Sequence, residues 1–116
     1  MDTQTVLDRH LAAFGTGDTE EVLKDYTEDS VLLTPEATVK GLQGIRAVFD
    51  EFFAGMFKPG TYEFGMDGVQ VAGEVALIAW HATCSAVHLP HAVDTFVIRD
   101  GKIVAQTFAA KVDPTG

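Results

Sequence analysis

The stretch that decides the fold is His91-Ala-Val-Asp-Thr-Phe-Val-Ile-Arg-Asp100. It has the alternation of a β-strand, because successive side chains of a strand point to opposite faces of the sheet. Asp94 shares one face with Ala92, Phe96 and Ile98, so a carboxylate lies in an otherwise apolar row. Burial of an unpaired charge is costly. We therefore predict that Asp94 is paired, hydrogen-bonded or neutralised in a pocket, with a solvent-facing edge strand as the alternative.

Three further strands are predicted around this one. Asp100-Gly101 is a strong hairpin signal, and residues 102–112 are expected to return as the last strand. Residues 75–87 are nearly continuous apolar sequence, which is typical of a central strand buried on both faces. Residues 62–72 alternate before a turn at Gly73-Glu74. Together these segments predict an antiparallel meander.

The first half of the chain has helical periodicity. Apolar spacing predicts a helix that ends near Gly17, a short helix that begins at Asp18, and a strongly amphipathic helix over residues 45–56. Two short strands are expected at residues 30–34 and 38–40. Helices segregated from a meander indicate an α+β fold. We predict a curved antiparallel sheet wrapped around about three N-terminal helices, forming a cone with an internal cavity.

Composition narrows the range of functions. A chain of 116 residues with 47% hydrophobic residues predicts one globular domain, residues 1–116. Its net charge of −9 argues against nucleic acid or an anionic membrane as partner and suits a neutral or weakly cationic organic ligand. Cys84 is the one cysteine, which excludes an internal disulfide and suits a cytoplasmic protein. No signal peptide or membrane-spanning segment is expected.

The sequence resembles the nuclear transport factor 2-like superfamily, which includes ketosteroid isomerase and the SnoaL-like polyketide cyclases. The segments that carry the resemblance are His10-Leu-Ala-Ala-Phe-Gly-Thr-Gly-Asp18, Tyr26-Thr-Glu-Asp-Ser-Val31, Gly41-Leu-Gln-Gly-Ile-Arg46 and Asp94-Thr-Phe-Val-Ile-Arg-Asp-Gly-Lys-Ile103. Their order covers nearly the whole chain. The resemblance implies the cone fold and a homodimer formed through the sheet.

The resemblance also implies three catalytic positions, one of which keeps the isomerase residue. Asp94 matches the isomerase aspartate that is held protonated by an apolar site. Thr34 stands where that family has its catalytic base, and His10 where it has a tyrosine. A threonine hydroxyl is too weakly basic for the base's role. Steroid isomerisation is therefore not expected, and the SnoaL-like cyclases are the better comparison.

The same matching predicts the lining of the cavity. It directs Leu77, Ala79, His81 and Thr83 into the cone and turns Ile78, Trp80, Ala82 and Cys84 outward, so Trp80 is expected near the dimer interface. Opposite Asp94 we expect Gln106 or Thr107, depending on the hairpin loop, and the resemblance favours Gln106. The ligand-binding residues are predicted to be Thr34, Phe49, Phe53, Gln106, Phe108 and Tyr26.

The predicted chemistry is acid/base catalysis. Asp94 would orient or donate, and His81 or His10 would move the proton, because a histidine beside a carboxylate exchanges protons near neutral pH. We expect an isomerase-, cyclase- or lyase-type enzyme acting on a small apolar carbonyl compound, without a cofactor. A non-catalytic ligand-binding or dimerisation module is the alternative. His88 and His91 do not supply a convergent metal-ligand set, and no metal is expected.

Overall fold

A computed structural model describes residues 2–114 of the chain. Within that range its elements are α1 (Thr3–Thr16), α2 (Thr19–Leu23), β1 (Tyr26–Leu33), β2 (Thr38–Lys40), α3 (Gly41–Ala54), β3 (Glu63–Ala72), β4 (Val75–Thr83), β5 (Val87–Arg99) and β6 (Lys102–Pro114). None of the helices in this range is long and apolar enough to cross a membrane.

The helices begin and end where the local sequence supplies caps. The side chain of Asp2 accepts a hydrogen bond from the Thr5 backbone N–H at 2.8 Å, and Gly17 ends α1 in the left-handed conformation, with φ of 69°. Asp18 caps the start of α2, where its side chain accepts a hydrogen bond from the Glu20 backbone N–H at 2.9 Å. These caps place the short α2 directly after α1, before the chain enters the sheet.

The strands form a curved, unclosed sheet in the order β2-β1-β6-β5-β4-β3. All neighbouring pairs are antiparallel except β1 and β6, which run parallel. The α+β architecture and the meander are confirmed. The parallel pair differs from the predicted all-antiparallel sheet, because β2, α3 and the meander strands β3–β5 lie between β1 and β6 in the chain and return it to β1 in the same direction.

Two strands begin earlier than expected. β1 starts at Tyr26, four residues before the expected strand at residues 30–34, and β5 starts at Val87, before the stretch from His91 from which it was predicted. Pro90 lacks a backbone N–H and is tolerated in sheets at bulges and edges. The register between β5 and β6 shifts between His88 and His91, which accommodates Pro90.

The predicted orientation of β4 is wrong. Ile78, Trp80 and Ala82 are buried on the inner face of the sheet, whereas His81 and Leu77 lie on the outer face, with Leu77 40% exposed. Both faces of this strand carry apolar residues, so alternation alone allows two solutions, and a one-residue slip turns every side chain over. His81 therefore lies outside the cone, and Trp80 lies inside it.

The hydrophobic core fills the space between the helices and the inner face of the sheet. α3 contributes Ile45, Phe49 and Phe53, all buried, as its predicted amphipathic face requires. Phe57, just after α3, is buried and packs edge-on against Phe14 of α1, with ring centroids 5.0 Å apart. This aromatic packing closes one side of the cone and leaves a cavity beside Asp94.

Candidate functional site

A cavity of about 40 Å³ lies inside the cone, which is room for roughly three water molecules. Its walls are almost wholly apolar and come from α1, α3 and the inner face of the sheet. The lining residues are His10, Leu11, Phe14, Leu32, Thr34, Phe49, Phe52, Phe57, Phe64, Met66, Ile78, Trp80, Asp94, Gln106 and Phe108. Concave apolar sites with a few converging polar groups are the usual form of small-molecule sites.

Asp94 is held by one donor on each carboxylate oxygen. The indole Nε1 of Trp80 donates to Oδ1 at 2.7 Å, and the side-chain amide Nε2 of Gln106 donates to Oδ2 at 2.8 Å. All three side chains are buried, and Asp94 is only 5% exposed. Two donors that converge on both oxygens orient the carboxylate and favour its ionised form.

The Gln106 amide is itself fixed from behind. The phenolic hydroxyl of Tyr26 donates to Gln106 Oε1, so the amide must present its N–H group to Asp94. Tyr26 therefore supports the site through Gln106. The direction of donation runs from Tyr26 through Gln106 to Asp94, which makes Asp94 an acceptor in this arrangement.

Burial controls the charge of Asp94. Desolvation raises the pKa of this carboxyl from 3.8 to about 6, and the hydrogen bonds from Trp80 and Gln106 offset part of that rise. No salt bridge within residues 2–114 involves Asp94. The group is thus a buried carboxylate that changes protonation near neutral pH, with neutral hydrogen-bond donors as its partners.

His10 is the second ionisable group on the cavity wall. Its ring packs edge-on against Phe96 at 5.2 Å and against Tyr26 at 6.0 Å between centroids. Its Nδ1 is buried without a hydrogen-bond partner in the described part of the chain. Desolvation lowers the pKa of His10 from 6.5 to about 4, so the imidazole is neutral at pH 7.

Thr34 lies at the end of β1, where a tight turn leads to β2. Its Oγ1 accepts hydrogen bonds from the backbone N–H groups of Glu36 and Ala37, at 3.3 and 3.1 Å. Because the oxygen already accepts, its O–H remains the group that this side chain can offer to a ligand.

The structure brings together most of the predicted site residues. Asp94, His10, Thr34, Phe49, Gln106 and Phe108 line the cavity. Tyr26 lies behind Gln106, and Phe53 packs between the rings of Phe14 and Phe49. These two are supporting residues in the structure, whereas the sequence interpretation placed them at the ligand.

His81 is the predicted site residue that the structure places elsewhere. Its Nδ1 lies 2.9 Å from Asp67 Oδ1 on the outer face of the sheet, and its side chain is 50% exposed. The reversed orientation of β4 removes it from the cavity, so the expected pairing of His81 with Asp94 is wrong.

Trp80 is the site residue that the sequence reasoning missed. The clue in the sequence was its indole N–H, a buried donor that needs an acceptor, in the strand preceding Asp94.

The residue of β6 directly opposite Asp94 is Phe108, because an extra residue at Val104 shifts the register after the two-residue hairpin loop. Gln106, the favoured prediction, reaches Asp94 diagonally on the same face.

Among residues 2–114, no three His, Cys, Asp or Glu side chains converge as a metal site. His88 lies 3.8 Å from Asp113, on the far side of the register shift in β5. The polar groups on the cavity wall are the side chains of His10, Thr34, Asp94 and Gln106 and the indole N–H of Trp80.

Comparison with known proteins identifies the family. The SnoaL-like domain model matches residues 7–106, so the chain belongs to the SnoaL-like domain family. No curated protein matches the sequence.

Solved structures show the same fold at low sequence identity. An NTF2-like protein from Burkholderia xenovorans superposes with a TM-score of 0.78 at 18% identity, covering 98% of this chain and 85% of that one. A candidate polyketide cyclase from Sinorhizobium meliloti has a TM-score of 0.76 at 17% identity, covering 90% and 94%. A candidate ketosteroid isomerase from Kribbella flavida has a TM-score of 0.77 at 16% identity, covering 94% and 77%. The predicted membership of the nuclear transport factor 2-like superfamily is confirmed.

Proposed function

We propose that this protein binds a small, mostly apolar carbonyl compound in the cone and that Asp94 exchanges a proton with it. The reaction would be of the isomerase, cyclase or lyase type. One observation carries the proposal: a buried, oriented carboxylate with a pKa of about 6 lines an aromatic cavity. A general base works best when its pKa lies near the working pH.

Asp94 is the base in this mechanism. At neutral pH its carboxylate takes a proton from the carbon next to the carbonyl group, and the electron pair of that C–H bond moves into the carbonyl to form an enolate. Protonated Asp94 then returns the proton to another carbon. In the alternative outcome the enolate carbon bonds to a second carbonyl carbon of the same molecule, the π electrons of that carbonyl move to its oxygen, and the resulting alkoxide takes the proton from Asp94. Both outcomes conserve atoms and electrons and need no cofactor.

His10 acts as a hydrogen-bond donor in this mechanism and carries no proton away. Burial keeps its pKa at about 4, so it is a weak base at pH 7, whereas a neutral imidazole N–H can stabilise an enolate oxygen in a dry cavity. This reverses the roles expected from the sequence, in which a histidine moved the proton and Asp94 oriented it. Thr34 can supply a second O–H donor.

The ligand enters on the side where the lining is half-buried. Leu11, Phe52, Phe64, Met66 and Phe108 are all partly exposed, whereas Phe14, Phe49 and Phe57 are buried. Since the cavity holds about 40 Å³, a larger ligand requires these partly exposed side chains to change rotamer. Flexible residues such as Met66 suit that adjustment.

The test is proton exchange in D₂O. Small ketones are incubated with the protein, and loss of the α-proton signal is followed by NMR. We expect exchange that falls by roughly 100-fold or more in Asp94→Asn, while Asp67→Asn, which removes a carboxylate from the outer face, leaves it unchanged. Saturable binding without exchange would identify a ligand-binding module, and neither binding nor exchange would overturn the proposal.

We also propose that the protein is a homodimer formed through the outer face of the sheet. Val75 and Leu77 are exposed there, beside Ala79, Val93 and Thr95 on paired strands. The helices pack on the other face, so a second copy, related by two-fold symmetry, covers this apolar patch of the outer face. Trp80, inside the cone, is not part of this face. The wild type should sediment as a dimer and Leu77→Lys as a monomer. A monomeric wild type would contradict the dimer, and a dimeric variant would contradict this face as its interface.

The setting of this function is the cytoplasm in our proposal, without nucleic acid or membrane as partner. The single cysteine, Cys84, is buried and free, and the net charge of −9 disfavours polyanions. Detection of the protein in the cytoplasmic fraction after cell lysis, released without detergent, would agree with this assignment.

A further inference from the structure

The carboxylate in the cavity has no cationic partner in the described part of the chain. Its hydrogen-bond partners, Trp80 and Gln106, are neutral donors. The other titratable groups at this site are His10 from α1, which lines the same cavity, and Tyr26 from β1, which contacts Asp94 through Gln106. Burial lowers the pKa of His10 to about 4 and raises the pKa of Tyr26 well above its usual value, so both are neutral between about pH 5 and 8. α3 contributes phenylalanine rings to the cavity and no titratable group.

The walls around this charge are aromatic faces and edges. Trp80 and Phe108 lie nearly parallel, at 28° with centroids 6.1 Å apart. Phe64 meets Trp80 edge-on at 6.3 Å, and Phe52 meets Phe108 edge-on at 5.9 Å. All four rings line the cavity. The π-faces of aromatic rings attract cations, and desolvation strengthens this attraction to about 2 kcal/mol or more.

From this arrangement we propose that the ligand carries an alkylammonium group, which lies among these four rings and faces the Asp94 carboxylate. The inference rests on the proposed function, since it requires the cavity to take a ligand, and it specifies the ligand's charge. A cation would supply the counter-charge that the buried carboxylate lacks. An anionic ligand would face repulsion in a medium of low dielectric constant. The net charge of −9 also draws cations toward the protein.

Asp94 also makes this preference dependent on pH. A cation interacts with the ionised carboxylate and is indifferent to the neutral acid, so its affinity should rise as the pH passes through about 6, where Asp94 loses its proton. A neutral alcohol of the same shape gains only the strengthening of one hydrogen bond on ionisation, which is smaller than the gain of a cation. A comparison of the two kinds of ligand across this pH range therefore isolates charge from shape.

The experiment compares tert-butylammonium with tert-butanol, which have the same shape and differ in charge. Binding is read from the indole N–H resonance of Trp80, the one tryptophan of the chain, which donates to Asp94. At about pH 7.5 we expect the ammonium ion to bind at least roughly 10-fold more tightly than the alcohol. Near pH 5 the ratio should fall to about 3-fold or less as Asp94 is protonated.

Two variants complete the design. Asp94→Asn should abolish the preference at about pH 7.5, while Asp67→Asn, which makes the same change of net charge on the outer face, should retain it. Equal binding of the two probes by the wild type, a preference that survives in Asp94→Asn, or no binding of either probe would overturn the inference. The pH series uses the wild-type chain, so the test holds even if a variant fails to fold. Proton exchange into ketones would still support the proposed function in each of these cases, so the two failures are distinguishable.

Discussion

Trp80 and Asp94 lie on neighbouring antiparallel strands, and the indole Nε1 donates to Oδ1 of the carboxylate at 2.7 Å inside the cone. They are diagonal neighbours, because Asp94 pairs directly with Ile78 and Trp80 with Ala92. Since Trp80 is the one tryptophan of the chain, its N–H resonance reports the charge of Asp94.

We expect this resonance to titrate with a midpoint of about 6, because burial raises the pKa of Asp94 to that value from 3.8. A hydrogen bond to a carboxylate is stronger than one to a neutral acid, so the proton signal should move upfield as the pH falls. The measurement is a ¹H–¹⁵N titration. The step should vanish in Asp94→Asn, and a midpoint near 4 would contradict the burial argument.

The stability difference between Asp94→Asn and the wild type should depend on pH. The folded-state pKa of Asp94 is raised, so its contribution to the free energy of unfolding is fully present below about 3.8 and is lost as the pH rises through about 6. The shift corresponds to about 3 kcal/mol. Asp94→Asn carries no such loss. Urea unfolding at several pH values should show the variant gaining on the wild type between about pH 4 and 7, and parallel curves would refute this.

His10→Phe should remove an acid sensitivity of the opposite sign. The folded-state pKa of His10 is lowered from 6.5 to about 4, so its contribution to stability is present above 6.5 and is lost as the pH falls toward 4, by about 3 kcal/mol. Urea unfolding should therefore show His10→Phe gaining stability relative to the wild type as the pH falls through this range. The prediction fails if the stability difference between the two proteins does not change with pH.

These two effects overlap in the range between about pH 4 and 6.5 and have opposite signs. They therefore offset each other in the wild type, whose stability should change little there as far as these two groups are concerned. Only the single variants separate them. The double variant, Asp94→Asn with His10→Phe, should restore a flat profile if the two sites titrate independently.

Tyr26→Phe and Gln106→Leu should give a graded series. Tyr26→Phe removes the hydroxyl that fixes the Gln106 amide and should cost about 1 kcal/mol, with a small rise in the pKa of Asp94. Gln106→Leu removes a direct donor to the buried carboxylate, so it should raise that pKa further and cost about 2 kcal/mol. Carboxyl ¹³C titrations measure both changes. A larger effect of Tyr26→Phe would contradict the order of donation.

Arg9→Met should destabilise the fold because it leaves Asp25 buried without its cation. Arg9 Nε donates to Asp25 Oδ1 at 2.5 Å, and the Asp25 side chain is 1% exposed. We expect a loss of about 2 to 3 kcal/mol in the free energy of unfolding, below the full value for buried pairs because Arg9 is 40% exposed. Arg99→Met, which breaks the exposed pair with Glu74, is the matched control and should cost under about 1 kcal/mol. Equal losses would contradict this distinction.

Sequence periodicity was sufficient to predict the buried face of an element where one face differed clearly in polarity from the other. The apolar stripe of α3 predicted its buried residues, and the Asp100-Gly101 turn predicted the hairpin between β5 and β6. The same reasoning placed Asp94 inside the cone, since its neighbours at i±2 are apolar. Local side-chain pattern carries this information because helices and strands expose residues with fixed periods.

Only the tertiary structure decided the face of β4, the position of Trp80, the diagonal contact of Gln106 and the exclusion of His81. β4 is apolar on both faces, so both orientations bury hydrophobic area, and side-chain alternation does not distinguish between them. The choice depends on contacts distant in sequence: Trp80 packs against Phe14 and Phe108, and its N–H finds its acceptor only on Asp94. The sequence by itself thus determined the fold and the position of the central carboxylate, Asp94. Three-dimensional packing determined the hydrogen-bond partners of that carboxylate, Trp80 and Gln106, and its pKa. The reason is that desolvation and cross-strand hydrogen bonds exist only once the sheet is formed.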